Sequence, residues 1–295
     1  MKKYVGIFLF LFAMLANGRA ALCAPEKLII GVMPETGIEQ EVNRYAPLAR
    51  YLGKKLGIKV GIKFLPNYGA LYEELRDGSL DAGFMGGFDY CMARAHAKIE
   101  PLVRQIMPEA GGKCSSYIFI RKNGAINNPA AMKGRTIALV DPLSTTGYLA
   151  QRIFFKKYGI DIDKDVKIFW AGTHEAAIMA VLSGQADMGA AKGRVFKNIS
   201  FVNSSINSKL EILNTLPGFP DNVLAVNRNI DTSTLGRLKT ALLNMSSDPD
   251  AKGVLSKLGS NGFSAASDKD YRELYVMIKK SGINLMTYSY AKISD

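Results

Sequence analysis

The stretch Ala70-Leu71-Tyr72-Glu73-Glu74-Leu75-x-x-Gly78-x-x-Asp81-Ala82-Gly83 is answered about a hundred residues later by Ala176-Ala177-Ile178-Met179-Ala180-Val181-x-x-Gly184-x-x-Asp187-Met188-Gly189. In each, a short helical pattern stops at a glycine and an Asp turns the chain into another apolar strand. The correspondence extends upstream. Leu28-Ile29-Ile30-Gly31-Val32 runs to Pro34, then to a helical pattern carrying Tyr45, Leu48, Ala49 and Leu52, then to Lys54-Lys55-Leu56-Gly57-Ile58 and a strand at Val60 to Phe64. The second time the order is Thr136-Ile137-Ala138-Leu139-Val140, a Pro142 loop, a helical stretch, Lys156-Lys157-Tyr158-Gly159-Ile160, and Val166 to Trp170. Strands alternating with helices favour a parallel sheet with helical crossovers, and the plan repeated in order predicts an α/β fold of two similar lobes.

Ser116 to Arg121 and Asn222 to Asn227 read as strands that each follow a change of lobe. That puts the crossings near Gly111 to Ser115 and near Pro217 to Asp221, a two-strand hinge. The expected division is 25–113 with 219–295 as the first lobe and 114–218 as the second. The C-terminal helical pattern, with Leu235, Leu238, Leu242, Tyr271, Leu274 and Met277 inward, is expected to pack back on the first lobe. Two lobes, two connections and a cleft make a route to hinge closure.

Lys2 and Lys3 precede the apolar run Val5 to Ala16, followed by small and polar residues up to Pro25. This is the layout of an export leader, expected over 1–24 and too short for a membrane span of about 20 apolar residues. The bulky Leu22 disfavours lipid anchoring at Cys23. Removing Lys2, Lys3 and Arg19, and no acid, lowers the formal charge from +12 to +9. A basic balance attracts anions. The basic residues are scattered in pairs, with no dense run and no aromatic-basic motif, so nucleic acid is not an expected partner. Cys91 and Cys114 are a candidate pair in an oxidising compartment, with two buried thiols as the alternative. No Cys or His cluster calls for a metal, and no cofactor is expected.

In open α/β sheets ligands sit beyond the carboxyl ends of strands, where helix N-termini present N–H groups. Asp141-Pro142-Leu143-Ser144-Thr145-Thr146-Gly147-Tyr148 follows one strand and opens a helix, so Ser144, Thr145 and Thr146 offer three hydroxyls beside backbone donors. Helix capping is the ordinary use of such residues. A second junction, Ala171-Gly172-Thr173-His174-Glu175, puts His174 in a first helical turn, where a neutral imidazole donating to an anion is favoured over a cation. A partly buried structural histidine is the alternative. The first lobe has junctions at Asn67-Tyr68-Gly69 and Met85-Gly86-Gly87-Phe88-Asp89-Tyr90, where Tyr68 can supply a hydroxyl and Gly86 a close backbone approach. Tyr90 reads equally as core, His96 as solvent-facing, and Asp81 and Asp187 as turn residues. Neither a Ser-His-Asp order nor Gly-x-Ser-x-Gly is present, and an enzyme is not expected.

Asp141-Pro142-x-Ser144-Thr145-Thr146-Gly147-Tyr148, with Gly172-x-His174-Glu175 downstream and Asn67-Tyr68 and Asp81-x-Gly83 upstream, resembles the phosphate/phosphite/phosphonate-binding proteins of ABC importers, which are type 2 periplasmic binding proteins. The likeness covers nearly all of the chain after the leader. It implies a monomeric periplasmic protein that captures a phosphorus oxyanion between its lobes and hands it to an inner-membrane permease. It further implies that Ser144, Thr145, Thr146 and His174 hold the anion from the second lobe and Tyr68 from the first. Thr146 stands where Ser is typical and keeps the hydroxyl. Met85 and Cys114 fall where some relatives have aromatics, and Pro217-Gly218-Phe219-Pro220-Asp221 matches loosely the segment that supplies an acidic contact. Asp221 there would accept from a protonated P–OH and reject fully deprotonated anions. The alternative expectation is a sensor of a different small anion, presented to a membrane receptor or kinase.

Overall fold

The first apolar run becomes strand β1 (Lys27–Val32), from which the chain passes through α1 (Ile38–Leu56), β2 (Lys59–Phe64), α2 (Tyr68–Asp77), β3 (Ala82–Met85), α3 (Gly87–His96) and β4 (Ile99–Ile106). Strand β5 (Lys113–Arg121) opens a second series: β6 (Thr136–Leu139), α4 (Ala150–Lys157), β7 (Lys167–Trp170), α5 (His174–Ser183), β8 (Met188–Lys192), α6 (Gly193–Val202), α7 (Ser204–Lys209) and β9 (Leu210–Pro220). The chain then adds β10 (Val223–Asn227), α8 (Thr232–Leu243), α9 (Lys252–Leu258), β11 (Gly262–Ala265) and α10 (Arg272–Ser281). This is a computed structural model, and it describes residues 27–108, 113–288 and 290. The expected leader with Cys23, and Gly111 and Gly112 of the first expected crossing, lie outside the described residues.

Two sheets result, one ordered β11-β4-β10-β3-β1-β2 and the other β7-β6-β8-β5-β9. In the first, β1 runs parallel to β2 and β3, and β10 enters antiparallel beside β3. In the second, β6 runs parallel to β7 and β8, and β5 enters antiparallel beside β8. Each sheet is thus completed by the strand that arrives after the chain has changed sheets, β10 in one and β5 in the other.

The repeated sequence is repeated structure. Asn67 caps α2 by accepting from Ala70 N, and Thr173 caps α5 by accepting from Ala176 N. Both helices end in the left-handed conformation, at Gly78 (φ 86°) and Gly184 (φ 88°), which glycine adopts without a Cβ clash. The carboxylates that follow have a structural use: Asp81 Oδ2 accepts from Ile29 N at 2.7 Å, and Asp187 Oδ2 accepts from Thr136 N at 2.9 Å. Each fastens the start of one strand to a neighbouring strand.

One face of the first sheet is covered by α1, α8 and α9, with Leu28, Ile30, Tyr45, Leu48, Leu52, Leu238 and Leu242 fully or almost fully buried. Its other face, with Leu71, Leu75 and Phe88, is continuous with the core of the second sheet, where Ile118, Phe119, Ile137, Leu139, Ile178 and Val181 pack. The C-terminal chain departs in part from expectation. Helices α8 and α9 do pack on the first sheet, whereas α10 lies against both α3 and α4. Beyond it, Tyr288 donates to Pro142 O (2.8 Å) and Tyr290 donates to Asp141 Oδ2 (2.9 Å), so the tail also holds the second sheet. Cys91 and Cys114 are separate buried thiols.

Candidate functional site

The carboxyl ends of β1, β3, β6 and β8 face one another across the gap between the sheets, and the loops beyond them enclose a chamber of ≈ 30 Å³. Its wall includes Tyr68, Gly86 and Asp89 from the first sheet's side and Thr145, His174 and Lys192 from the second, with Glu35 and Asn222 closing the perimeter. The two sides touch directly. Phe88 N donates to Thr145 Oγ1 at 2.8 Å, Glu175 N donates to Glu35 O at 3.2 Å, and Gly37 N donates to Glu175 Oε2 at 2.8 Å.

The sequence period of the repeat fixes who meets whom. Tyr68 and His174 are the first residues of α2 and α5, each directly after its capping residue. Gly86 and Lys192 sit at the equivalent strand-to-helix junctions before α3 and α6. The site is therefore two copies of one structural position facing each other, with different side chains.

His174 is buried, and its Nδ1 accepts from Lys192 N at 3.1 Å. A neutral imidazole that accepts at Nδ1 carries its proton on Nε2, so this ring is a donor at its outer nitrogen. Burial lowers its pKa to about 4, against the pull of Glu35 and with the help of Lys192 and Arg194, which keeps it neutral at physiological pH. The Thr145 side chain and the Phe88 amide mark where α3 and the 144–149 turn converge. That turn is one loop of π-helix, with Leu149 N donating to Ser144 O at 3.0 Å, a widened first turn of the kind found at functional sites.

Ser144 accepts from Gly147 N at 3.0 Å and its side chain lies beside the Tyr68 hydroxyl, so capping and reach across the gap coexist. Gly86 lies so close that a Cβ there would meet Asp89 Oδ1 and Thr145 Oγ1, both at 3.1 Å. The chamber thus gathers Tyr68, Gly86, Thr145 and His174, with Ser144 behind Tyr68. Thr146 is buried, its carbonyl accepting from Ser116 Oγ (2.6 Å) and Gln151 Nε2 (3.1 Å), and it does not line the chamber. Asp221 is also buried and outside the lining, whereas its neighbour Asn222 reaches the wall.

Four lining groups went unread in the sequence: Glu35, Asp89, Lys192 and Asn222. Lys192 was accessible through the repeat, because it stands 106 residues after Gly86, as His174 stands 106 after Tyr68. Asp89 Oδ2 is buried without a hydrogen-bond partner, and burial pushes this carboxyl well above its usual range, against three backbone donors. Burial raises Glu35 too, but Lys192, Arg194 and Arg44 together hold it well below the ordinary value, as an anion. The backbone that carries Glu35 is held by buried Glu41, which accepts from Glu35 N and Thr36 N, each at 3.0 Å.

Among the described residues, no cluster of His, Cys, Asp and Glu is arranged to hold a metal ion. Nor is any helix of these residues long and apolar enough to cross a membrane.

Residues 30–271 match a family model described as "ABC transporter, phosphonate, periplasmic substrate-binding protein". The chain is similar to the phosphonates-binding periplasmic protein of Escherichia coli (strain K12), 26% identical over 249 residues, which cover 82% of this chain and 72% of that one. In three dimensions it resembles a binding protein component of an ABC phosphonate transporter from Pseudomonas aeruginosa, with TM-score 0.81, 19% identity, and coverage of 87% of this chain and 86% of the other. It also resembles the Prochlorococcus marinus protein PhnD1 solved with methylphosphonate, with TM-score 0.79, 23% identity, and coverage of 87% and 98%.

Proposed function

The chain belongs to the family of periplasmic substrate-binding proteins of phosphonate ABC transporters, and on that premise we propose that its ligand is a phosphorus oxyanion held in the chamber between the two sheets. The protein is a binding component of an importer, in a family of binding proteins and not of enzymes. The observation that carries the ligand reading is the tautomer of His174: with Nδ1 occupied by the Lys192 amide, the imidazole offers Nε2–H at the chamber wall.

In this reading Thr145 and His174 donate to the anion from the second lobe, and Tyr68 and the backbone at Gly86 from the first. Ser144, beside Tyr68, engages it as well. Thr146 contributes through the shape of the π turn, and Asp221 by positioning Asn222. Asp89, whose Oδ2 is buried without a partner, accepts from P–OH, which a fully deprotonated sulfate does not offer. The lobes are 25–113 with 219–295 and 114–218, and the leader 1–24 directs export without lipid at Cys23. A monomer closed on its ligand is the form that the membrane permease receives. Binding favours closure because the donors come from both lobes, so only the closed form makes every contact.

Thermal unfolding of ligand-stripped protein tests this reading, because a ligand that binds only the folded state raises the midpoint. Phosphate, phosphite or methylphosphonate should raise it and sulfate should not. The double variant Ser144→Ala with Thr145→Ala should fold and lose the shift. A shift with sulfate alone, or an undiminished shift in the double variant, would sink the reading.

A further inference from the structure

Glu35 and Lys192 come from opposite sheets and meet at the chamber, Lys192 Nζ donating to Glu35 Oε1 at 3.0 Å and to Asn222 Oδ1 at 3.0 Å. Both side chains are almost fully withdrawn from solvent, at 4% for Lys192 and 10% for Glu35. Glu35 Oε2 meets two further cations, Arg44 Nη1 at 2.9 Å and Arg194 Nη2 at 3.5 Å. The remaining carboxylate of the cluster, Glu41, lies 3.7 Å from Arg44. Arg44, Lys192 and Arg194 thus share the Glu35 carboxylate, with Glu41 beside Arg44.

The position of Lys192 sharpens this. It is the structural counterpart of Gly86, so the repeat puts bare backbone on one side of the chamber and an ammonium on the other. Its two hydrogen bonds use two of the three ammonium protons, which leaves one for a ligand. Beyond Glu35 a groove of ≈ 420 Å³ opens between the sheets, lined by Arg44, Arg194 and Lys257 as well as Glu175. A substituent that reaches Glu35 therefore also meets the guanidinium groups of Arg44 and Arg194 that hold it. An ammonium on that substituent would find Glu35 already committed to three cations, whereas an uncharged or anionic group would not be repelled.

Building on the phosphorus-oxyanion reading, we propose that Lys192, held in place by Glu35, is a specificity-determining residue that selects phosphorus oxyanions without a cationic substituent and rejects aminoalkylphosphonates. The ammonium of Lys192 adds a charge-assisted donor for the oxyanion and a like charge against an amine.

Calorimetric titration with phosphate, methylphosphonate and 2-aminoethylphosphonate decides it, using wild-type protein, Lys192→Met, and the pair Lys192→Met with Glu35→Gln. The double variant guards against a fold failure caused by leaving Glu35 without its partner, since breaking one half of a buried pair costs more than neutralising both. Wild-type protein is expected to bind phosphate or methylphosphonate at least 100-fold more tightly than 2-aminoethylphosphonate, and the variants to narrow that ratio at least tenfold. Comparable wild-type affinity for the amine, or a ratio unchanged in both variants, overturns the inference and leaves the phosphorus reading standing. No binding of any of the three by wild-type protein overturns both.

Discussion

His174 does its work through a proton that a neighbouring amide assigns. Replacing it with Gln keeps an N–H near the position of Nε2, whereas Asn keeps only a polar group near Nδ1. His174→Gln should therefore retain measurable ligand affinity, and His174→Asn should lose at least tenfold more, as read by calorimetry. The same residue predicts a pH signature. Its folded pKa, about 4, is depressed from 6.5, so the stability it contributes is fully present above pH 6.5 and is lost as pH falls through about 4. A shift of that size corresponds to roughly 3 kcal/mol. Urea unfolding of wild type and His174→Gln should show wild type losing the larger share of stability between pH 7 and 4, and parallel curves would refute the assignment. The sequence made His174 legible because its place after a strand and a capping Thr173 is a local pattern. Glu35 and Lys192 were harder to read, since their meaning arises only when residues 157 positions apart come within 3.0 Å.

At the level of elements, the repeat was legible because its signals are short-range: an N-cap, a left-handed glycine and an Asp at fixed spacing. Placing Gly78 and Gly184 in the same conformation predicts equal sensitivity. Gly78→Ala and Gly184→Ala should each cost about 1 kcal/mol, because a Cβ strains the left-handed cap, and similar midpoint losses in thermal unfolding would bear this out. What the local pattern did not carry was the fate of Thr146 and Asp221. Three consecutive hydroxyl residues look alike in sequence, but the π turn commits the Thr146 carbonyl to Ser116 and Gln151 and aims Thr145, not Thr146, at the chamber. Likewise, which of Asp221 and Asn222 faces inward depends on how the chain leaves β9 and enters β10, which composition does not encode.

Across the whole molecule, the alternation of strands and helices predicted two α/β layers and the return of the chain between them, but not the reach of the C-terminal tail. The last elements were expected on one layer only; their apolar period is the same whether they cover one layer or bridge two. The bridging makes Tyr288 and Tyr290 part of the balance between open and closed forms, since their hydroxyls hold residues 141 and 142 at the foot of the ligand loop. Tyr288→Phe with Tyr290→Phe should lower ligand affinity several-fold, mainly through faster dissociation in stopped-flow measurements. An unchanged dissociation rate would make the tail a passive cover.

The smallness of the chamber has a kinetic meaning. With a volume of ≈ 30 Å³ and a direct hydrogen bond between its walls, the chamber leaves a captured ion little room, and its departure is expected when the two halves part. Escape is then timed by a clock belonging to the protein. Ligands that differ in affinity will then share a residence time, and will differ instead in how often an encounter ends in capture.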